Sequence, residues 1–178
     1  MLELRRARPD DIPTLQRWDR EPEVIRCTTD KPDATTAFEG HDWHEAIANQ
    51  SDVDFYLVGE VDGQPIGAMQ VIDPHLEPTH YWGDIAPNLR ALDIWIGEND
   101  RRGQGFGEQM MRGAFQLCFA DPAVTAIVID PLASNTRAHA FYERLGFVKV
   151  ERRLFNDEDD CWVMRLTRDA WRARFPDA

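Results

Sequence analysis

The segment from Leu92 to Ile129 constrains the fold more than any other part of the chain. Leu92-Asp93-Ile94-Trp95-Ile96 reads as a strand with one acid inside an apolar run, and Val124 to Ile129 as a short, nearly all-apolar strand. Strands of the second kind are buried on both faces, as in a parallel pair, and a parallel pair needs a helical crossover. The crossover is present: Phe106, Met110, Met111, Ala114, Phe115, Leu117 and Cys118 form a wide apolar stripe that ends at Asp121-Pro122. Between strand and helix lies Arg101-Arg102-Gly103-Gln104-Gly105-Phe106-Gly107. Glycines at alternate positions leave backbone N–H groups unshielded, and a helix N-terminus adds partial positive charge where they point. By itself the stretch reads either as a phosphate cradle or as a glycine-rich turn.

The remaining chain surrounds this unit with further strands and helices. Leu2 and Leu4 alternate with polar neighbours as a first strand, and Pro9-Asp10-Asp11 opens a helix carrying Ile12, Leu15 and Trp18. Residues 20 to 42, interrupted by Pro22, Pro32 and Gly40, predict broken helix and loop, followed by a short helix over Trp43 to Ala48 with His44 on its solvated face. Asp62-Gly63 between Phe55–Val58 and Ile66–Ile72 predicts a hairpin. From Asp73 to Arg90 the pattern stops at Pro74, Pro78 and Pro87, while His75, His80, Tyr81, Trp82 and Asp84 supply polar and aromatic groups, the mark of a functional or a merely mobile loop. Ser134 or Asn135 can cap a helix through Leu145, which Gly146 ends; Phe147–Arg153 and Cys161–Leu166 are the last two strands. The expectation is one α/β domain over residues 1–178, with a mixed, partly parallel sheet of about seven strands flanked by helices.

Charge bears on the partner. The formal charge of −12, from 32 acidic against 20 basic residues, argues against a nucleic-acid surface and suits a cationic small molecule, although acidity also serves solubility alone. Cys27, Cys118 and Cys161 are odd in number and widely separated, which predicts reduced, mostly buried thiols without a disulfide framework or metal site. No apolar h-region follows Met1–Arg6 and no apolar run reaches membrane-spanning length, so a cytoplasmic chain without membrane contact is expected, as monomer or homodimer.

Two phosphate-loop types are excluded on spacing. GxxxxGK[ST] needs a Lys-Ser or Lys-Thr that is absent after these glycines, and GxGxxG needs a third glycine where Glu108 stands. What remains, Arg102-x-x-Gly105-x-Gly107, resembles the signature with which GNAT acetyltransferases hold the pyrophosphate of acetyl-CoA. The resemblance continues through Asn135 and Ala138-His139-Ala140-Phe141-Tyr142-Glu143-Arg144-Leu145-Gly146-Phe147 and covers roughly residues 50 to 170. Within the family it is nearest to the aminoglycoside 6′-N-acetyltransferases, on Tyr81-Trp82, Asp93, Phe119-Ala120-Asp121-Pro122 and Asp130-Pro131-x-x-Ser134-Asn135-x-Arg137-Ala138. That group carries an acid just before its paired loop tryptophans. Here the matching place is near Thr79-His80, and Asp84 is taken as the nearest loop acid.

The resemblance implies an acetyl-CoA-dependent transfer to a primary amine by direct attack in a ternary complex, with no metal. Asp93 falls on a catalytic acid, which would bind the ammonium and pass its proton on through water; the alternative is an acid at a strand end pairing with Arg90 or Arg101. Tyr142 falls on the family's tyrosine, whose hydroxyl protonates the leaving thiolate; helix-face packing is its alternative. Ile94, Trp95 and Ile96 would run beside the pantetheine arm, with a backbone group as oxyanion donor. Arg101, Arg102, Gly103, Gln104, Gly105, Phe106 and Gly107 would hold phosphate, and Asn135, Arg137 and Ala138, with Tyr142, would touch the cofactor arm or its phosphates. Tyr81, Trp82, Asp84 and Asp93 are the expected substrate wall, and Asp157–Asp160 either joins them or forms a solvated turn. Acylation of a hydroxylysine-type siderophore precursor, a protein N-terminus, and non-catalytic acyl-CoA binding stay open beside an aminoglycoside.

Overall fold

The computed structural model describes residues 1–156 and 158–176. In chain order the elements are β1 (Leu2–Arg6), α1 (Ile12–Asp19), α2 (Pro22–Thr28), α3 (Trp43–Ala48), β2 (Asp54–Val61), β3 (Gln64–Ile72), β4 (Leu89–Ile96), α4 (Phe106–Ala120), β5 (Ala126–Ile129), α5 (Thr136–Arg144), β6 (Val148–Phe155), β7 (Asp159–Thr167) and α6 (Arg168–Arg174). Among the described residues seven strands make one sheet in the order β1-β2-β3-β4-β5-β7-β6. β4 and β5 are its parallel pair, joined by α4 as expected, and the other neighbours run antiparallel. No helix among the described residues is long and apolar enough to cross a membrane.

Local chemistry accounts for the joints. Asp62 and Gly63 both take positive φ, 53° and 74°, the backbone of a two-residue turn that matches strand twist and closes β2 onto β3. The Asn135 side chain accepts from the Ala138 N–H at 3.1 Å and starts α5, and Gly146 leaves it at φ 98°. α4 buries Met110, Met111, Ala114, Phe115, Cys118 and Phe119 against Met69, Leu92, Ile127 and Leu166 on one face of the sheet. α1 and α3 cover the other face with Leu15, Trp18, Trp43 and Ile47 over Tyr56, Val58 and Trp95.

The decisive irregularity is that β4 and β5 pair only from Leu89↔Ala126 to Ala91↔Val128. β4 stays with β3 as far as Ile96↔Gly67. The chain after β5 follows β7 instead: Trp162 donates to the Pro131 carbonyl at 2.9 Å and Ala133 to the Asp160 carbonyl at 2.7 Å. Each strand satisfies its backbone on its outer side, so the two part like an opened seam.

Several boundaries differ from the sequence reading. β4 begins three residues earlier than Leu92, because Asn88, at φ 63°, delivers Leu89 straight into register beside Ala126. β6 and β7 extend to Phe155 and from Asp159, and α6, not foreseen, packs Trp171 on Phe119 with ring centroids 4.7 Å apart. Cys118 and Cys161 are buried and Cys27 is exposed, all three free.

Gly97 tests the junction beyond β4. A Cβ there would stand 2.1 Å from the buried Trp18 ring. Gly97→Ala is expected to destabilise the fold by about 1–3 kcal/mol, read as a lowered melting temperature; an unchanged value would mean that Trp18 moves freely.

Candidate active site

The parted strands open a cleft of about 1630 Å³, walled by α2, the segment from Thr29 to Asp42, the N-terminal turn of α4, α5 and residues 77–82. One rim is backbone. The Gly97 N–H points at Ile66 on β3, 3.0 Å away, so strand alternation turns the N–H groups of Ile94 and Ile96 to the opposite, unpaired edge. Their side chains join the core beneath, and Trp95 is buried on the other face.

The glycine loop meets this rim. Gly103 and Gly105 take φ 73° and 82°, a backbone that L side chains rarely adopt, and Gly103, Gly105 and Gly107 line the cleft. No side chain caps the first turn of the 15-residue α4, so its free N–H groups and helix dipole suit a diphosphate. Arg102 lines the cleft, but its guanidinium also fastens the loop to β4, donating to the Ile96 carbonyl at 2.9 Å and the Gly97 carbonyl at 3.4 Å. Arg101, Gln104 and Phe106, expected beside the phosphates, do not line the cleft: Arg101 sits 4.0 Å from Asp100, the Gln104 amide turns back to the Asp100 carbonyl, and Phe106 opens the helix.

From α5, Asn135, Arg137, Ala138 and Tyr142 all reach the cleft. Asn135 is occupied as helix cap, and exposed Arg137 pairs with Glu23 at 3.2 Å. Tyr142 packs between Phe141 and Phe147, and burial, then the charges of Asp93 and Asp130, hold its phenol above the usual range.

The carboxylates face one another across the opening. Asp93 makes no ion pair with Arg90, which is taken by Asp73 at 3.0 Å and Asp121 at 3.4 Å, nor with Arg101. Burial at the cleft floor, then the charges of Asp130 and Asp54, push Asp93 up to about 7. Asp130, which follows β5, is raised by burial, and the Tyr81 hydroxyl donates to it at 2.6 Å, which favours its ionised form. Asp93 has no donor of this kind among the described residues, so nothing of the sort offsets the effect of burial on it.

Tyr81 reaches the cleft, stacked on Phe155 at 4.7 Å. Trp82, at 3% exposure, also lines the cleft and packs against Phe155, while Asp84 is exposed and does not line it. The acid that does line this wall is Glu77, overlooked in the sequence; it accepts from Thr79 N–H at 2.7 Å and Tyr81 N–H at 2.6 Å, folding the loop back on itself. An acid two residues before a Thr after Pro78 is the turn signal that could have found it. Glu158 and Asp159 lie at the rim, Asp160 pairs with Arg152 at 2.5 Å away from it, and Asp157 falls outside the described residues.

Four residues that the sequence did not single out complete the floor. Asp54, Tyr56 and Gln70 stand on the same sheet face as Asp93, since Tyr56↔Gln70↔Asp93 are directly paired across three strands. His41 lies over Tyr56 with Nε2 3.3 Å from the hydroxyl, and burial holds its imidazole below the usual range.

A parted parallel pair with a bare helix N-terminus on one side and carboxylates on the other is the architecture of an acyl-CoA-dependent transferase. Residues 8–155 match the family model described as "Acetyltransferase (GNAT) domain", and the chain belongs to that family. It is an acetyl-CoA-dependent N-acetyltransferase. Among its relatives, an aminoglycoside N(6′)-acetyltransferase type 1 of Klebsiella pneumoniae is 27% identical over 146 residues, 81% of this chain and 72% of that one. A kanamycin resistance protein of Rhizobium radiobacter is 37% identical over 73 residues, 40% of this chain and 68% of that one. The solved structure of aminoglycoside acetyltransferase AAC(6′)-Ib in complex with coenzyme A and kanamycin superposes with a TM-score of 0.80 at 25% identity, covering 97% of this chain and 98% of that one.

The influence of Asp130 on Asp93 is open to direct measurement. Asp130→Asn removes a like charge and is expected to lower the Asp93 pKa, observed by carboxyl carbon NMR; an upward shift or none would refute the coupling.

Proposed function

We propose that the protein transfers acetyl to a primary amine of a polycationic aminoglycoside, at a 6′-type amino group, by direct attack while both substrates are bound. The observation that carries this reading is the placement of Asp93 on β4 and of Asp130 just after β5, where the two strands part beside the free N–H groups of Ile94 and Ile96. The names of the aminoglycoside-acetylating relatives support the same substrate class.

Gly103, Gly105 and Gly107 with the first turn of α4 would hold the pyrophosphate, Asn135, Arg137 and Ala138 would border the arm, and Ile94–Ile96 would run alongside the pantetheine. An alkyl ammonium with pKa near 10 binds ionised Asp93, which draws off its proton toward water. The freed nitrogen attacks the thioester carbonyl, and a backbone N–H of Ile94 or Ile96 holds the developing oxyanion. As the carbon–sulfur bond breaks, the Tyr142 hydroxyl gives its proton to the thiolate and recovers one from the new amide nitrogen. Tyr81 and Glu77 border the sugar, aromatic and acidic surfaces that suit a cationic ring.

A thiol-release assay over kanamycin-type compounds, linear polyamines, lysine derivatives and N-terminal peptides tests the substrate. Acceleration by kanamycin-type compounds is expected, and indifference to them would end the aminoglycoside reading. Tyr142→Phe should lower turnover tenfold or more with acetyl-CoA binding nearly unchanged; equal turnover would remove Tyr142 from the mechanism. Because Asp93 is raised to about 7, kcat/KM should climb as pH rises through that value, and Asp93→Asn should abolish this limb; a limb that survives the substitution belongs to another group.

A further inference from the structure

The cleft holds a carboxylate that the acetyl-transfer chemistry does not use. Asp54, at the start of β2, faces the same side of the sheet as Asp93 and lines the same cleft. Its register is fixed by pairing: Asp54 stands opposite Ile72, and Ile72 opposite Ala91, two residues before Asp93. Two strand spacings across and two residues along put the α-carbons of Asp54 and Asp93 about 12 Å apart.

The surroundings leave Asp54 available to a ligand. One carboxylate oxygen accepts from the Gln70 amide at 2.7 Å, which fixes its direction without neutralising it. No Lys or Arg among the described residues forms an ion pair with it: of the cations that line the cleft, Lys31 pairs with Glu39 and Glu158, Arg102 with Glu21 and Arg137 with Glu23, while Arg144 turns back to the Ala140 carbonyl at 3.1 Å. Burial in an aromatic cluster with Trp43 and Tyr56, at centroid distances of 4.5 Å and 6.0 Å, holds the neighbouring His41 imidazole below its usual range. A fixed negative charge beside aromatic faces, in a part-desolvated pocket, is a site for a second ammonium group.

We infer that Asp54, oriented by Gln70, is a specificity-determining residue that binds a second ammonium of the acceptor, so that the enzyme prefers amines carrying another cation several ångströms from the acetylated nitrogen. The inference rests on the proposed acetylation of a polycationic amine and names the feature by which that substrate is chosen over a monoamine. Asp54→Asn is the natural test, because the asparagine oxygen keeps the Gln70 contact and only the charge is lost.

The measurement compares kanamycin, 6-amino-6-deoxyglucose as the monoamine, and α,ω-diamines of increasing length. For Asp54→Asn the KM for kanamycin should rise tenfold or more with kcat within about twofold. Because loss of the Asp54 charge also lowers the Asp93 pKa, the comparison is made above about pH 8, past the Asp93 limb; there the monoamine and acetyl-CoA parameters should change by no more than about twofold, and the wild-type preference for diamines over monoamines should disappear. In wild type, kcat/KM for kanamycin should also fall more steeply with salt than in the variant. Equal losses for kanamycin and the monoamine, or no loss for either, would overturn the assignment. If wild type acetylates 6-amino-6-deoxyglucose and kanamycin equally well, the second subsite fails while the aminoglycoside reading stands; if it acetylates neither, that reading fails and this one with it.

Discussion

The parting of β4 from β5 after Ala91↔Val128 is the constraint on which the rest of the molecule depends. A parallel pair normally satisfies backbone groups on both of its strands. Here β4 keeps its partner in β3, and the chain beyond β5 keeps its partner in β7, so neither loses stability by letting go of the other. The result is a wedge inside the sheet whose edge offers ordered N–H groups. On the opposite edge of β4, Gly67 allows β3 to approach closely, since a Cβ there would meet the Trp95 carbonyl at 2.4 Å.

Everything chemical is hung on that wedge. The glycine loop leaves the free end of β4 and enters α4, Arg102 ties it back to the Ile96 and Gly97 carbonyls, and Asp130 faces Asp93 because each sits where its strand departs. Low solvent access then sets the electrostatics: carboxylates gathered without basic partners resist ionisation, and the Tyr81 hydroxyl favours the ionised form of Asp130. A cationic ligand relieves the same repulsion that raises these pKa values. The overall charge of −12 is thus gathered, in part, in this cleft.

The strand–loop–helix–strand unit, the hairpin at Asp62-Gly63 and the Asn135 cap were legible because each follows from local rules: apolar periodicity, a turn that demands positive φ, a side chain within reach of its own helix. Asp93 and Tyr142 stood out through motifs of recognised spacing. The acceptor side was far less legible. Asp84 looked like the loop acid by proximity, yet Glu77 turns inward because it accepts the backbone N–H groups of Thr79 and Tyr81. Asp54, Tyr56 and Gln70 carry no motif, and they meet Asp93 only because pairing brings alternate residues of three strands onto one face. Arg101, Gln104 and Phe106 look equivalent to the residues beside them in the loop, but the alternating backbone turns them away.

By itself the sequence determined the mixed α/β sheet, its parallel crossover, and a glycine loop with the spacing of the GNAT acetyltransferases, since these rest on short segments. Only the tertiary structure decided the floor of the acceptor pocket and the balance of charge within it. Those depend on strand register and on burial, and both are properties of residues far apart in the chain, 89 positions for Asp130 and His41 in the wall they share. A carboxylate's pKa and its availability to a ligand are fixed by the company it keeps after folding, which no local pattern encodes.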